Sequence, residues 1–86
     1  MIMYKLEPTR AFTKGLKKLT PTEQRAVAVK LSLLAENPFH PSLRTKKVQR
    51  LKDVFECSVN MSLRILWTYH DGIIILLLDI GHHDIL

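Results

Sequence analysis

Midway along this chain the hydrophobic repeat changes period, and that change constrains the fold more than any other feature of the sequence. From Phe12 to Asn37-Pro38 apolar residues recur every three or four positions, the spacing of one face of an α-helix. Phe12, Leu16 and Leu19 form a first stripe, and Val27, Leu31 and Leu34 form a second. Beyond about Thr45 the period falls to two, the alternation of a half-buried strand. The spacing thus predicts two helices followed by strands.

Local signals divide the chain further. Ile2, Tyr4 and Leu6 alternate with Met3 and Lys5 and read as a short N-terminal strand, which Pro8-Thr9 breaks. Gly15 weakens the first helix by about 1 kcal/mol relative to Ala. Thr20-Pro21-Thr22-Glu23 carries the signature of a capping box, with Thr at the N-cap, Pro at the first helical position and Glu at the third. Asn37-Pro38 ends that helix, because the residue before proline is pushed out of the α region. Phe39 to Leu43 reads as a loop, and Thr45 to Gln49 as a weak, Lys-rich strand. From Phe55 to Asn60, Phe55, Cys57 and Val59 share one face and Glu56, Ser58 and Asn60 the other. From Leu63 to His70, Leu63, Ile65, Trp67 and Tyr69 oppose Arg64, Leu66, Thr68 and His70. Asp71-Gly72 predicts a two-residue hairpin turn, and Ile73 to Ile80 a central strand buried on both faces. The expected fold is α+β, a single domain over residues 1–86. An N-terminal strand and an antiparallel helix hairpin precede a three- or four-stranded antiparallel meander, with the helices on one sheet face. The other face stays partly open and carries Glu56, Ser58, Asn60, Arg64 and Thr68.

Composition bounds the function. One cysteine, Cys57, cannot close an intrachain disulfide, which removes the stapled secreted scaffolds, and it rules out a cysteine-rich zinc site. The N-terminus shows no basic region leading into an apolar core, and the apolar run Ile73 to Leu78 is far below the roughly 20 residues of a membrane span. The expectation is a soluble, cytoplasmic protein. The net charge of +5 is divided unevenly: residues 1–52 carry +9 and residues 53–86 carry −4. A basic half of this strength attracts a polyanion such as nucleic acid, or an acidic protein partner. Lys-rich helices that only keep a small domain soluble are the plainer alternative.

Glu56, Arg64, His82, His83 and Asp84 are the charged or titratable groups expected to converge on the open face. Arg64 is the one cation of the C-terminal part, set among apolar neighbours. It either pairs with Glu56 or Asp84, or offers its planar fork to phosphate. A carboxylate can also hold the guanidinium until a phosphate displaces it. His82 and His83 are adjacent, so in an extended tail at most one faces the site. Metal ligation by both is disfavoured at that spacing, and no metal site is expected. A histidine near its reference pKa of about 6.5 can serve as a general acid or base. His40 and His70 read as solvated polar residues, Cys57 as a small buried hydrophobe, and Trp67 as core before stacking platform.

In their order along the chain, several segments closely resemble the RelE/ParE superfamily of bacterial type II toxin–antitoxin toxins. They are the N-terminal strand, Leu34-Ala-Glu-Asn-Pro38, Pro41-Ser-Leu43, Leu51-Lys52-Asp53, Phe55-Glu-Cys-Ser-Val59, Leu63-Arg-Ile-Leu-Trp67 and Ile80-Gly-His-His-Asp-Ile-Leu86. The resemblance implies an mRNA interferase, a metal-independent endoribonuclease that needs no cofactor, acts on mRNA at the ribosome and is neutralised in complex with a cognate antitoxin. It places Arg64 at the strand arginine that contacts the scissile phosphate, and His83 at the histidine of a terminal Gly-x-His motif. Ser58 and Asn60 stand where some members carry strand lysines. Within this implied chemistry His83 is the general acid or base, Arg64 the electrostatic stabiliser and Glu56 a further base candidate. Lys46, Lys47, Arg50 and Lys52 would hold the RNA backbone. A gyrase-inhibiting toxin of the ParE branch, a non-catalytic nucleic-acid-binding module and a degenerate toxin that only binds its antitoxin remain open alternatives.

Overall fold

The structure, a computed structural model, describes residues 3–82. Its elements follow the order strand, two helices, then strands: β1 (Lys5–Pro8), α1 (Arg10–Lys17), α2 (Pro21–Glu36), a 3-10 turn (Pro41–Leu43), β2 (Lys46–Lys47), β3 (Phe55–Ser58), β4 (Leu63–Asp71) and β5 (Ile74–His82). The fold is α+β as expected, although the strands assemble differently in detail. Five of them form one mixed sheet in the order β1-β5-β4-β3-β2. The run from β2 to β5 is antiparallel throughout, whereas β1 lies parallel to β5, with Leu6 opposite Ile75.

Capping explains where the helices start. Thr9 sits in extended conformation and accepts from Phe12 N at 3.3 Å, and its hydroxyl donates to Leu77 O at 2.8 Å, which anchors the start of α1 on β5. The predicted capping box is present: Thr20 Oγ1 accepts from Glu23 N at 3.1 Å, and Glu23 Oε1 accepts from Thr20 N at 2.9 Å. Gln24 ties the two helices together by donating to the carbonyls of Leu16 and Leu19. Asn37 caps the end of α2 in extended conformation, as suits a residue before proline.

The core gathers Phe12, Val27 and Leu34 from the helices with Leu43, Cys57, Val59, Leu63, Ile65, Trp67, Ile75, Leu77 and Ile80. The helices therefore cover the sheet face that carries Cys57 and Ile65, and alternation puts Glu56 and Arg64 on the opposite face. Trp67 is fully buried and stacks on Phe55 with ring centroids 4.8 Å apart, so it belongs to the core and offers no platform for bases.

The structure corrects four expectations. The first strand runs from Lys5 to Pro8 and not from Ile2 to Leu6; Ile2 lies outside the described residues. Pro8 closes this edge strand, where a missing N–H leaves no ladder bond unmade. The segment Phe39 to Leu43 contains a 3-10 turn that buries Leu43, with His40 Nδ1 accepting from Ser42 N at its start. The β4–β5 turn is centred on Gly72-Ile73, because Asp71 pairs with Ile74. Gly72 has no positive φ, so the turn is not of the primed kind; a register shift between Tyr69 and Asp71 accommodates it. Finally, β5 is buried on one face only: Ile75, Leu77 and Ile80 are covered, and Ile74, Leu76 and Leu78 are half-buried on the other.

Candidate functional site

On the helix-free face Lys46 stands directly opposite Glu56, and Arg64 lies diagonal to Glu56, since Glu56 pairs with Leu66 and Ser58 with Arg64. Diagonal neighbours on one face are within reach of long side chains. Both cations approach the same oxygen, Glu56 Oε1, Lys46 Nζ at 3.5 Å and Arg64 Nε at 4.0 Å. Alternation alone places Glu56 on an open surface, yet only 8% of it is exposed. A carboxylate so covered depends on its cationic neighbours, because removing one partner of such a pair leaves a buried charge uncompensated. Arg64 is held on its other side by the backbone: Nη1 donates to Asn60 O at 2.7 Å and Leu63 O at 3.2 Å. Of the pairing partners that the sequence offered for Arg64, the structure shows Glu56.

Lys46, Lys47, Arg50, Glu56 and Arg64, with Val48 and Gln49, line an open groove of about 620 Å³. Among the described residues four cations stand against one carboxylate, which makes this lining basic. The sequence-derived residues Lys46, Lys47, Arg50, Glu56 and Arg64 thus converge, although they come from β2, the loop after it, β3 and β4. Lys52 does not line the groove; it sits exposed in the turn before β3. Thr68, expected on the open face, is half-buried and donates to Asp53 O at 2.6 Å, which pins that turn, where Asp53 has φ 58°.

The histidines divide. His83, and with it Asp84, lies outside the described residues. His82 turns toward the helices, with Nε2 3.4 Å from Glu23 Oε2. Glu23 has its carboxyl held below the ordinary carboxylate range, chiefly by the backbone N–H of Thr20. Cys57 is fully buried and burial pushes its thiol up to about 12, which removes it as a nucleophile near neutral pH.

Sequence reasoning missed Lys30 and Arg44. They line a smaller cavity that shares Arg64 with the groove. No spacing signal links a lysine in the middle of α2, an arginine in the loop after it and a strand arginine 20 or more residues later; the packing of α2 on the 3-10 turn, and of that turn on β3, brings them together.

No family model matches the chain, and no curated protein matches it in sequence. Solved structures do. A chain of the RelBE2 toxin–antitoxin complex from Mycobacterium tuberculosis is 23% identical, with a TM-score of 0.77 over 96% of this chain and 94% of that one. A chain of the DinJ-YafQ toxin–antitoxin complex from E. coli is 16% identical, with a TM-score of 0.78 over 99% and 98%. The YoeB/ParE toxin from Agrobacterium tumefaciens is 10% identical, with a TM-score of 0.78 over 92% and 98%. The likeness spans nearly the whole of every chain compared, and at these identities it is a likeness of fold: the chain has the fold of the RelE/ParE toxins.

Proposed function

We propose that this protein is the toxin of a toxin–antitoxin pair, neutralised by a cognate antitoxin, and that it is a metal-independent endoribonuclease that cuts mRNA at the ribosome. The observation that carries the reading is Arg64, held by Glu56 and two backbone carbonyls within a groove whose other charged walls are Lys46, Lys47 and Arg50. Cleavage of RNA by its own 2′-hydroxyl needs a base for that proton, cations for the charge that accumulates on the phosphorane, and an acid for the departing 5′-oxygen. Arg64 supplies the cation at the scissile phosphate. Lys46, Lys47 and Arg50 hold the flanking backbone, and Lys52 meets RNA further along. A phosphate entering the groove competes with Glu56 for Arg64 and releases a carboxylate oxygen to act as base. His83 is assigned as the general acid or base on the sequence resemblance.

Inducing the chain in cells and mapping RNA 5′ ends tests this. Wild type is expected to arrest growth and create new 5′ ends, and Arg64→Ala to lower their yield by on the order of 100-fold, the size of effect seen when a transition-state donor is removed. Arg64→Lys retains the charge without the fork and is expected to fall between. Circular dichroism establishes that each variant folds. If Arg64→Ala and His83→Ala, folded and expressed equally, stay as toxic as wild type, the assignment is wrong.

One observation favours a second reading, a protein that binds RNA or its antitoxin without cutting. Among the described residues no imidazole lines the groove: His40 caps the 3-10 turn, His82 faces Glu23, and His70 lies at the other end of β4 from Arg64. That reading predicts salt-dependent RNA binding with no new 5′ ends.

A further inference from the structure

Arg64 belongs to two cavities. Besides the groove it lines a smaller one of about 210 Å³, whose other polar walls are Lys30, Ser42, Arg44, Ser58 and Asn60. The two differ in charge. The groove sets Glu56 against its cations, whereas the smaller cavity gathers Lys30, Arg44 and Arg64 with no carboxylate among the described residues of its lining. Its volume is below the roughly 300–1,000 Å³ of a site for a whole small molecule and suits one ionic group with its waters.

Each wall is set by contacts that leave donors over. Lys30 Nζ donates to Ser42 O at 3.2 Å, which steers the ammonium across the gap between α2 and the 3-10 turn and leaves it further protons to donate. Asn60 Oδ1 accepts from the N–H groups of Ser62 and Leu63, both at 2.9 Å, so the orientation of the amide is fixed and its Nδ2 remains a donor. Arg44 ends the 3-10 turn with φ 49°, a left-handed conformation that residues other than glycine adopt sparingly. Its N–H is satisfied by Pro41 O at 3.2 Å.

We propose that this second cavity binds the phosphate next to the one held in the groove, so that Arg64 stands between two successive phosphates of one nucleotide chain. The inference rests on the nucleic-acid reading given above and extends it to a minimal ligand with two phosphates. Lys30 and Arg44 are its binding residues, with Ser42, Ser58 and Asn60 as neutral donors around them.

The test measures binding of short 2′-O-methyl ribonucleotides, which the enzyme cannot cleave, to the full chain at low salt. A dinucleotide with one internal phosphate is compared with the same dinucleotide carrying a second phosphate at its 5′ end or at its 3′ end. Wild type is expected to bind at least one two-phosphate form about tenfold more tightly. Lys30→Gln combined with Arg44→Gln should bring that ratio close to one and shift the salt slope of log K by about 0.7 for each phosphate no longer held. Arg44→Asn, which suits the left-handed position, repeats the test without backbone strain. Lys14→Gln combined with Lys17→Gln removes the same charge from α1 and should leave the preference in place. The proposal fails if wild type shows no preference for either two-phosphate form or no measurable binding of them. It also fails if the Lys30/Arg44 variants keep the preference or the Lys14/Lys17 variant loses it. Failure of the nuclease reading is seen separately, as absent cleavage of unmodified RNA by a chain that still prefers two phosphates.

Discussion

At Gly15 a hydrogen occupies the place of a side chain, and a Cβ there would meet the Ile80 carbonyl oxygen at 2.7 Å and its Cγ2 at 2.9 Å. The helix rests directly on β5 at this point. Replacing Gly15 by Ala should therefore lower stability by about 1–3 kcal/mol, the usual range for overpacking, despite the gain of about 1 kcal/mol in helix propensity. Gly72→Ala is the matched control, because nothing lies within 4 Å of the added Cβ and φ is not positive. It should be neutral or stabilise by up to about 1 kcal/mol. Urea midpoints of the two variants decide the matter: a Gly15→Ala chain as stable as wild type would contradict the close packing of α1 on β5. From the sequence Gly15 shows only its poor propensity. The contact that justifies it is made with a strand 65 residues further on, which no local pattern records.

Among the elements, α2 is the one whose limits were fully legible. Thr20, Pro21, Glu23 and Asn37-Pro38 act within one turn of themselves, so the same bonds form wherever the helix is placed. Glu23 adds a pH dependence. Its carboxyl is held below the usual value in the folded chain, first by the Thr20 N–H and then through His82. The folded state therefore binds this proton less readily than the unfolded state. The stabilisation is present above about pH 4.5 and is lost as pH falls through the depressed folded value. The advantage of wild type over Glu23→Gln in urea melts should accordingly be seen at pH 7 and shrink as the pH is lowered below about 4.5; an advantage that stays constant or grows on acidification would overturn it. The hairpin between β4 and β5 was less legible. Asp71-Gly72 is a strong turn signal, but the irregular register of the two strands moves the turn one residue on, and register is set across strands.

Over the whole molecule the uneven charge of the sequence resolves into a place. β2 carries Lys46 and Lys47 to the edge of the sheet beside β3, and the acidic C-terminal part contributes the arginine that completes the groove. If that groove holds RNA, log K should fall with log salt by about 0.7 per phosphate contact, and Lys46→Gln or Lys47→Gln should each reduce the slope by about that amount. Lys52→Gln, which lies outside the groove, should reduce it less. Binding by wild type that is insensitive to salt would remove the groove as the contact surface.

The sequence by itself determined the order of helices and strands, the α+β class, the limits of α2 and the face on which Glu56 and Arg64 lie. Periodicity and capping act over a few residues, and a strand's two faces follow from its backbone alone. The tertiary structure decided what meets what. It set β1 parallel on β5, covered Glu56 between Lys46 and Arg64, left Lys52 aside and drew Lys30 and Arg44 to the far cavity beside Arg64. These are contacts between distant parts of the chain, and their partners are chosen by how the helices and the 3-10 turn fill space against the sheet, which no single segment specifies.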